Sequence, residues 1–240
     1  MKRGFSVFLL MARSTIYKVL LVLLGMAVVE CGLFLLVLRR GVTENGMSLE
    51  SVIESSFAAW VFILAFIVIA ALLFSTGYDA KGRRSYTLLR LSISRRQVFL
   101  WQSIYNLCIF LLLWMVQILA ALFFCALYVR FAPAEYVTHQ TVFLAFYRND
   151  FFHSILPLSE VILWVRNILL FLTSSLLCAR YPCKKEKSDK AIVFLAAFMA
   201  VFFVQELGNR ESSLALIVFS LIWIAVGLYR VFDKEAEYEA

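Results

Sequence analysis

Six apolar runs, near residues 19–38, 57–75, 98–128, 158–179, 191–205 and 213–229, divide this chain, with charged and turn-forming residues between them. Crossing a hydrocarbon core of about 30 Å takes about 20 helical residues at 1.5 Å each. Each run is therefore read as a spanning helix, the third long and the fifth short. The runs are unbroken instead of alternating in ten-residue segments, which favours helices over a β-barrel. The pattern predicts an all-α membrane protein with six transmembrane helices, forming a single domain over residues 1–240.

The segments between the runs carry their own patterns. Ahead of the first span, residues 4–17 hold Phe5, Phe8, Leu9 and Leu10 with Arg13 and then Lys18, the composition of an amphipathic elbow helix lying at the interface. An early start to a tilted first span is the alternative. Lys2 and Arg3 ahead of apolar residues resemble a secretory leader, but the run continues to Leu38 with no small-residue cleavage site, so the segment is read as retained. Residues 39–56, with Gly41, Asn45, Gly46 and three glutamates, read as a solvated connector. Residues 130–157 carry seven aromatic rings, and a helix or re-entrant hairpin there would set them at headgroup depth. Residues 180–190 read as a solvated basic turn, and the acidic tail from Asp233 reads as frayed.

Composition agrees with the membrane reading: 63% of the residues are hydrophobic and 16% charged, with a mean hydropathy of +0.87. Of the 23 Lys and Arg residues, 17 fall on one face if the N-terminus is cytoplasmic. These are Lys2, Arg3, Arg13 and Lys18; Lys81, Arg83, Arg84, Arg90, Arg95 and Arg96; Arg180, Lys184, Lys185, Lys187 and Lys190; and Arg230 and Lys234. Arg39, Arg40, Arg130, Arg148 and Arg210 fall opposite, and Arg166 lies within a span. Both termini are therefore expected in the cytoplasm, in a multi-pass protein of the cell membrane. Anionic lipid accounts for the net charge of +7 without a nucleic-acid partner. Cys31, Cys108 and Cys125 lie in spans and Cys178 and Cys183 at a cytoplasmic end, with neither a disulfide framework nor zinc spacing.

No phosphate-binding loop, His-Glu-x-x-His pair or Gly-x-Ser-x-Gly elbow is present, and the two histidines, His139 and His153, both fall in the outer aromatic segment. No catalytic, cofactor-binding or metal-binding residue is expected. The chemical signal is polarity inside spans, where an ionised side chain costs about 2.5–3.5 kcal/mol on insertion scales. Residue counts put Glu30 about 16 Å and Arg166 about 20 Å from the inner boundary, with Gln117 and Asn167 in reach of the same layer. A Glu30–Arg166 pair across the bundle is one expectation for this layer, which either lines a path or serves as glue between helices. Gln102, Asn106 and Gln205 lie nearer span ends.

Residues 79–102 (DAKGRRSYTLLRLSISRRQVFLWQ) differ from every other loop. Apolar Tyr86, Leu89, Leu91 or Ile93, and Val98 interleave with Arg83, Arg84, Arg90, Arg95 and Arg96, a pattern suited to a short helix at the cytoplasmic face that docks on a soluble partner. The elbow, the six helices and this loop resemble the membrane subunit of a type-2 ATP-binding-cassette exporter. The family's loop runs Leu-Leu-x-Leu-Pro-Ile-Ser-Arg-Arg, and residues 88–96 here read Leu-Leu-Arg-Leu-Ser-Ile-Ser-Arg-Arg, with Ser92 in place of the proline. Asp79, Lys81 and Gly82 replace a more usual Glu-containing turn.

That resemblance implies a cytoplasmic coupling helix, with Leu89, Leu91 and Ile93 as apolar docking residues, Arg90, Arg95 and Arg96 as polar ones, and Tyr86 at its start. It also implies an ATP-binding-cassette ATPase subunit as partner, ATP bound there and not by this chain, and a second permease copy or homologue. The function expected is then that of a permease subunit, not an enzyme, coupling a partner's ATP hydrolysis to export. A non-transporting membrane immunity or binding protein is the main rival. An intramembrane enzyme would need facing carboxylates or His/Glu pairs, and a gradient-driven carrier would need broken helices in matching halves; neither is seen.

Overall fold

The computed structural model describes residues 2–44, 48–75, 94–133, 136–138, 140–158, 160–179 and 210–239. Every regular element among them is a helix: α1 (Lys2–Glu44), α2 (Leu49–Ser55), α3 (Ala58–Ser75), α4 (Arg95–Phe131), α5 (Thr141–Arg148), α6 (Asp150–Ile155), α7 (Val161–Cys178) and α8 (Arg210–Glu239). Stretches of α1, α3, α4 and α7 are long and apolar enough to cross a bilayer, and residues 213–229 of α8 form a shorter apolar helix. The fifth predicted span, residues 191–205, lies outside the described residues.

Contacts at both ends of α1 define how the bundle runs. Phe8 and Thr15 of α1 meet Tyr105 of α4, Glu30 meets Gln117, and Phe34 stacks on Phe124, so α1 and α4 are parallel. Asn106 of α4 reaches Ser175 of α7 while Trp114 meets Trp164, so α7 runs antiparallel to α4. In α3, Phe62 lies by Phe151 of α6, Phe66 by Phe110 and Phe171, and the Cys178 thiol donates to the Ala70 carbonyl, so α3 runs with α7. Chain direction alternates as successive crossings require. The start of α1, the end of α3, the start of α4 and the end of α7 thus share one end of the bundle. Helix α4 occupies its centre, packing on α1, α3, α6 and α7.

The 43 residues of α1 extend about 64 Å, twice a hydrocarbon core. The segment expected as a separate elbow continues unbroken into the first span. No proline interrupts it, and the hydroxyls of Ser14 and Thr15 bond back to the Met11 carbonyl, leaving the helical ladder intact. Val7, Met11, Thr15, Val19, Leu23, Met26, Glu30, Phe34 and Leu38 are buried at three- and four-residue spacing, one stripe along the whole helix. The amino-terminal turns therefore pack on α4 as the span does.

Two further expectations are corrected. Residues 39–56 are not a bare connector: α1 runs on to Glu44, and α2 buries Leu49, Val52 and Ile53 behind a Ser48 cap that accepts from the Ser51 N–H at 3.4 Å. The short apolar triad in that loop is enough to seat about two turns against α1, α3 and α5. The acidic tail is not frayed but continues α8 to Glu239. Between α2 and α3, Phe57 takes a left-handed φ of 55°, a conformation that costs a residue with a Cβ about 1–2 kcal/mol.

Candidate functional site: the buried polar core

Helices α5 and α6 lead into a turn, residues 154–157, from which the chain returns as α7; this hairpin tip is bonded to α4 and α7. The Asn149 side chain caps α6 by accepting from the Phe152 N–H at 3.1 Å, and Pro157 prevents the helix from continuing. Carbonyls of a turn packed among apolar helices need donors, and side chains can supply them. Three do. The Trp114 indole donates to the Ile155 carbonyl at 2.9 Å, the Trp164 indole to the Pro157 carbonyl at 2.6 Å, and the Asn167 amide to the Ser154 carbonyl at 2.7 Å. The seven aromatics of this region accordingly divide. Phe146, Phe151 and Phe152 are buried, while Phe131, Tyr136, Phe143 and Tyr147 stay exposed, so three of the rings expected at headgroup depth pack inside the bundle instead.

Beside this tip lies the predicted polar layer, and the structure joins its members differently from the Glu30–Arg166 expectation. Glu30 accepts from the Gln117 amide at 3.0 Å. Arg166 donates from Nε and Nη2 to Asn167 Oδ1 at 3.3 and 3.2 Å. All four side chains are buried, Glu30, Gln117 and Asn167 completely. Trp114 meets Trp164, Gln117 lies three residues further along α4, and Arg166 and Asn167 lie two and three residues on in the opposite direction along antiparallel α7, so the two pairs are offset by about 8 Å along the bundle axis. The two pairs therefore sit at neighbouring levels and do not meet. The lateral pairing is different because α4 presents an amide to Glu30 and α7 supplies the guanidinium with its own neighbour.

A second polar level lies nearer the end that carries the start of α4. Thr15 and Tyr105 share a hydrogen bond of 2.6 Å, and Asn106 donates to the Ser175 carbonyl at 3.2 Å. Gln102 and Asn106, expected at a span end, are buried in the helix interface, because α4 begins at Arg95 and its first turns already pack on α7. Further up α7, the Thr173 hydroxyl bonds to Leu169 and lies 3.5 Å from the Ser220 carbonyl of α8.

Of the predicted coupling residues, Tyr86, Leu89, Arg90, Leu91 and Ile93 lie outside the described residues. Arg95 and Arg96 form the first turn of α4, behind a Ser94 cap that accepts from the Gln97 N–H at 3.4 Å. The reading of the sequence missed Trp114, Trp164 and Ser154. A signal existed: Trp114 lies in the middle of the third run, far from the interfaces where tryptophan usually gathers, and so calls for a buried acceptor. Among the described residues no group of three or more His, Cys, Asp or Glu side chains is placed to hold a metal ion. No protein-family model, curated protein or solved structure matches the chain.

Proposed function

We propose that this chain is the permease subunit of an ATP-driven exporter of the ATP-binding-cassette kind, lying in the cell membrane with both termini cytoplasmic. The observation that carries the reading is the segment of residues 79–102, whose alternating Leu/Ile and Arg chemistry suits docking on a soluble partner and which runs directly into α4. Arg13 and Lys18 of α1 belong to the end of the bundle where α4 starts, which agrees with a cytoplasmic assignment for that end.

Helix α4 gives such a docking event a route inward. A push at Arg95 acts on a helix of 37 residues that holds Tyr105 against Thr15, Gln117 against Glu30 and Trp114 against the hairpin tip. Because packed interfaces shift between discrete arrangements, displacing α4 along its axis would alter both polar levels and the hairpin seat together. The partner ATPase binds and hydrolyses ATP, and a second permease copy or homologue completes the pathway.

The test is to purify the detergent-solubilised protein from its native cells and identify the chains that accompany it, for wild type and for the Leu89→Asp/Ile93→Asp variant. An ATPase subunit recovered with wild type and lost with the variant is the expected result. Intact, monodisperse wild-type protein that brings down no ATPase refutes the reading and favours the non-transporting binding or immunity role.

A further inference from the structure

The Glu30–Gln117 pair leaves two acceptors without donors. Glu30 Oε2 receives the Gln117 amide, but Glu30 Oε1 and Gln117 Oε1 are both buried with no hydrogen-bond partner. The two orphaned oxygens belong to the two groups already joined, and both residues are 0% exposed. An ionised carboxylate would leave both oxygens unsatisfied, in an apolar setting where an orphaned polar group is costly. A single proton removes the problem at both atoms.

We propose that Glu30 is a proton-binding site and that its carboxyl group is neutral in the folded protein. The proton resides on Oε1 and is donated to Gln117 Oε1, while the Gln117 amide donates to Oε2. The acid and the amide then form a reciprocal two-bond pair with every polar atom used.

The surroundings favour a proton over a metal ion or a counter-charge. A hard cation takes six or more oxygen ligands, whereas two oxygens are open here, and the same faces continue as Met26 and Phe34 on α1 and Leu113 and Ala121 on α4. The Phe34–Phe124 stack, at 4.6 Å, closes the side towards the end of α4. Of the elements packed against α1, α3 has no titratable side chain, α2 contributes Glu50 and Glu54, and the span of α4 contributes Tyr105, Cys108, Cys125 and Tyr128. Cys31 adjoins Glu30 on α1 itself. The buried cation of the core, Arg166, belongs to α7 and directs Nε and Nη2 to Asn167. Among the described residues, no hydrogen bond joins Glu30 to a cation.

The proposal stands apart from the exporter reading and is tested on the purified full-length chain in lipid nanodiscs by infrared difference spectroscopy at neutral pH. Wild type minus Glu30→Gln is expected to show a protonated-carboxyl C=O band, shifted in heavy water, with no change in the carboxylate bands. Gln117→Leu should keep that band and move it to higher frequency, since both hydrogen bonds of the pair are lost. Should Glu30→Gln fail to fold, the wild-type band and its shift in Gln117→Leu decide alone. Thermal unfolding supplies a second readout: Glu30→Gln, which can reproduce both bonds, should unfold near wild type, and Glu30→Leu clearly below it. A carboxylate band lost in Glu30→Gln, or no protonated-carboxyl band in wild type, overturns the proposal.

Discussion

Replacing Trp114 with Phe removes the indole N–H that caps the Ile155 carbonyl and little else. A benzene ring at this position retains most of the edge contact with Trp164, at 5.5 Å, and the tilted contact with Phe171, at 5.3 Å. The lost hydrogen bond measures 2.9 Å. Hydrogen bonds between membrane helices average about 0.6 kcal/mol and reach about 1.7, and an acceptor left buried without a donor costs about 1–3 kcal/mol. With the Ile155 carbonyl left without this donor, Trp114→Phe is expected to destabilise the fold by about 1–2 kcal/mol, a factor of 5–30 in the unfolding equilibrium. Trp164→Phe, which uncaps the Pro157 carbonyl at 2.6 Å, should cost a similar amount. Because the two rings touch, the double variant should depart from additivity by at least about 0.5 kcal/mol. The assay is reversible unfolding in mixed micelles followed by circular dichroism. Trp60→Phe serves as the reference, since Trp60 is 63% exposed on the outer face of α3 and its change should stay within about 0.5 kcal/mol. If Trp114→Phe is no more destabilising than Trp60→Phe, the hairpin tip is not held by these donors and the account of its seat is wrong.

Three other expectations use the same or simpler measurements. Asn167→Ala removes the acceptor of two guanidinium N–H groups and the donor to Ser154, and should cost about 3 kcal/mol; Asn106→Ala, which loses one neutral bond, should cost about 1 kcal/mol. Thr15→Val, which strips Tyr105 of its partner, should lower stability by about 1 kcal/mol, with Thr15→Ser restoring most of it; equal behaviour of the two variants would mean that the hydroxyl contact contributes nothing. In a background without native cysteines, Phe143→Cys should react with a membrane-impermeant maleimide while Ser154→Cys resists it until the protein is unfolded, because Phe143 is exposed and Ser154 is buried.

Helix positions were legible because apolar run length is a one-dimensional property. The run at residues 57–75 became Ala58–Ser75 almost unchanged, its start set locally by the turn at Phe57. Boundaries were less legible where packing extends a helix beyond its apolar run. Helix α4 adds three residues at each end of the predicted 98–128 because its terminal turns find partners in α1 and α7. The α2 helix was missed because three apolar residues in an otherwise polar loop become a helix only when α1, α3 and α5 are there to cover them.

For the polar core, the sequence alone determined which residues need an explanation and at what depth. Charge or amide inside an apolar run is costly wherever it occurs, and 1.5 Å per residue carries each position to a level in the bundle. Only the tertiary structure decided who bonds to whom. Residue counting brings Glu30 and Arg166 to similar depths, yet each bonds to an uncharged side chain, Gln117 across the α1–α4 contact and Asn167 on the same turn of α7. Rotation about each helix axis, which periodicity leaves open within a helix apolar on most sides, selects those neighbours. The hairpin tip arises in the same way: aromatic composition alone fits a belt and an inserted turn equally, and the three donors from α4 and α7 that can replace water at its carbonyls are brought together only by the fold.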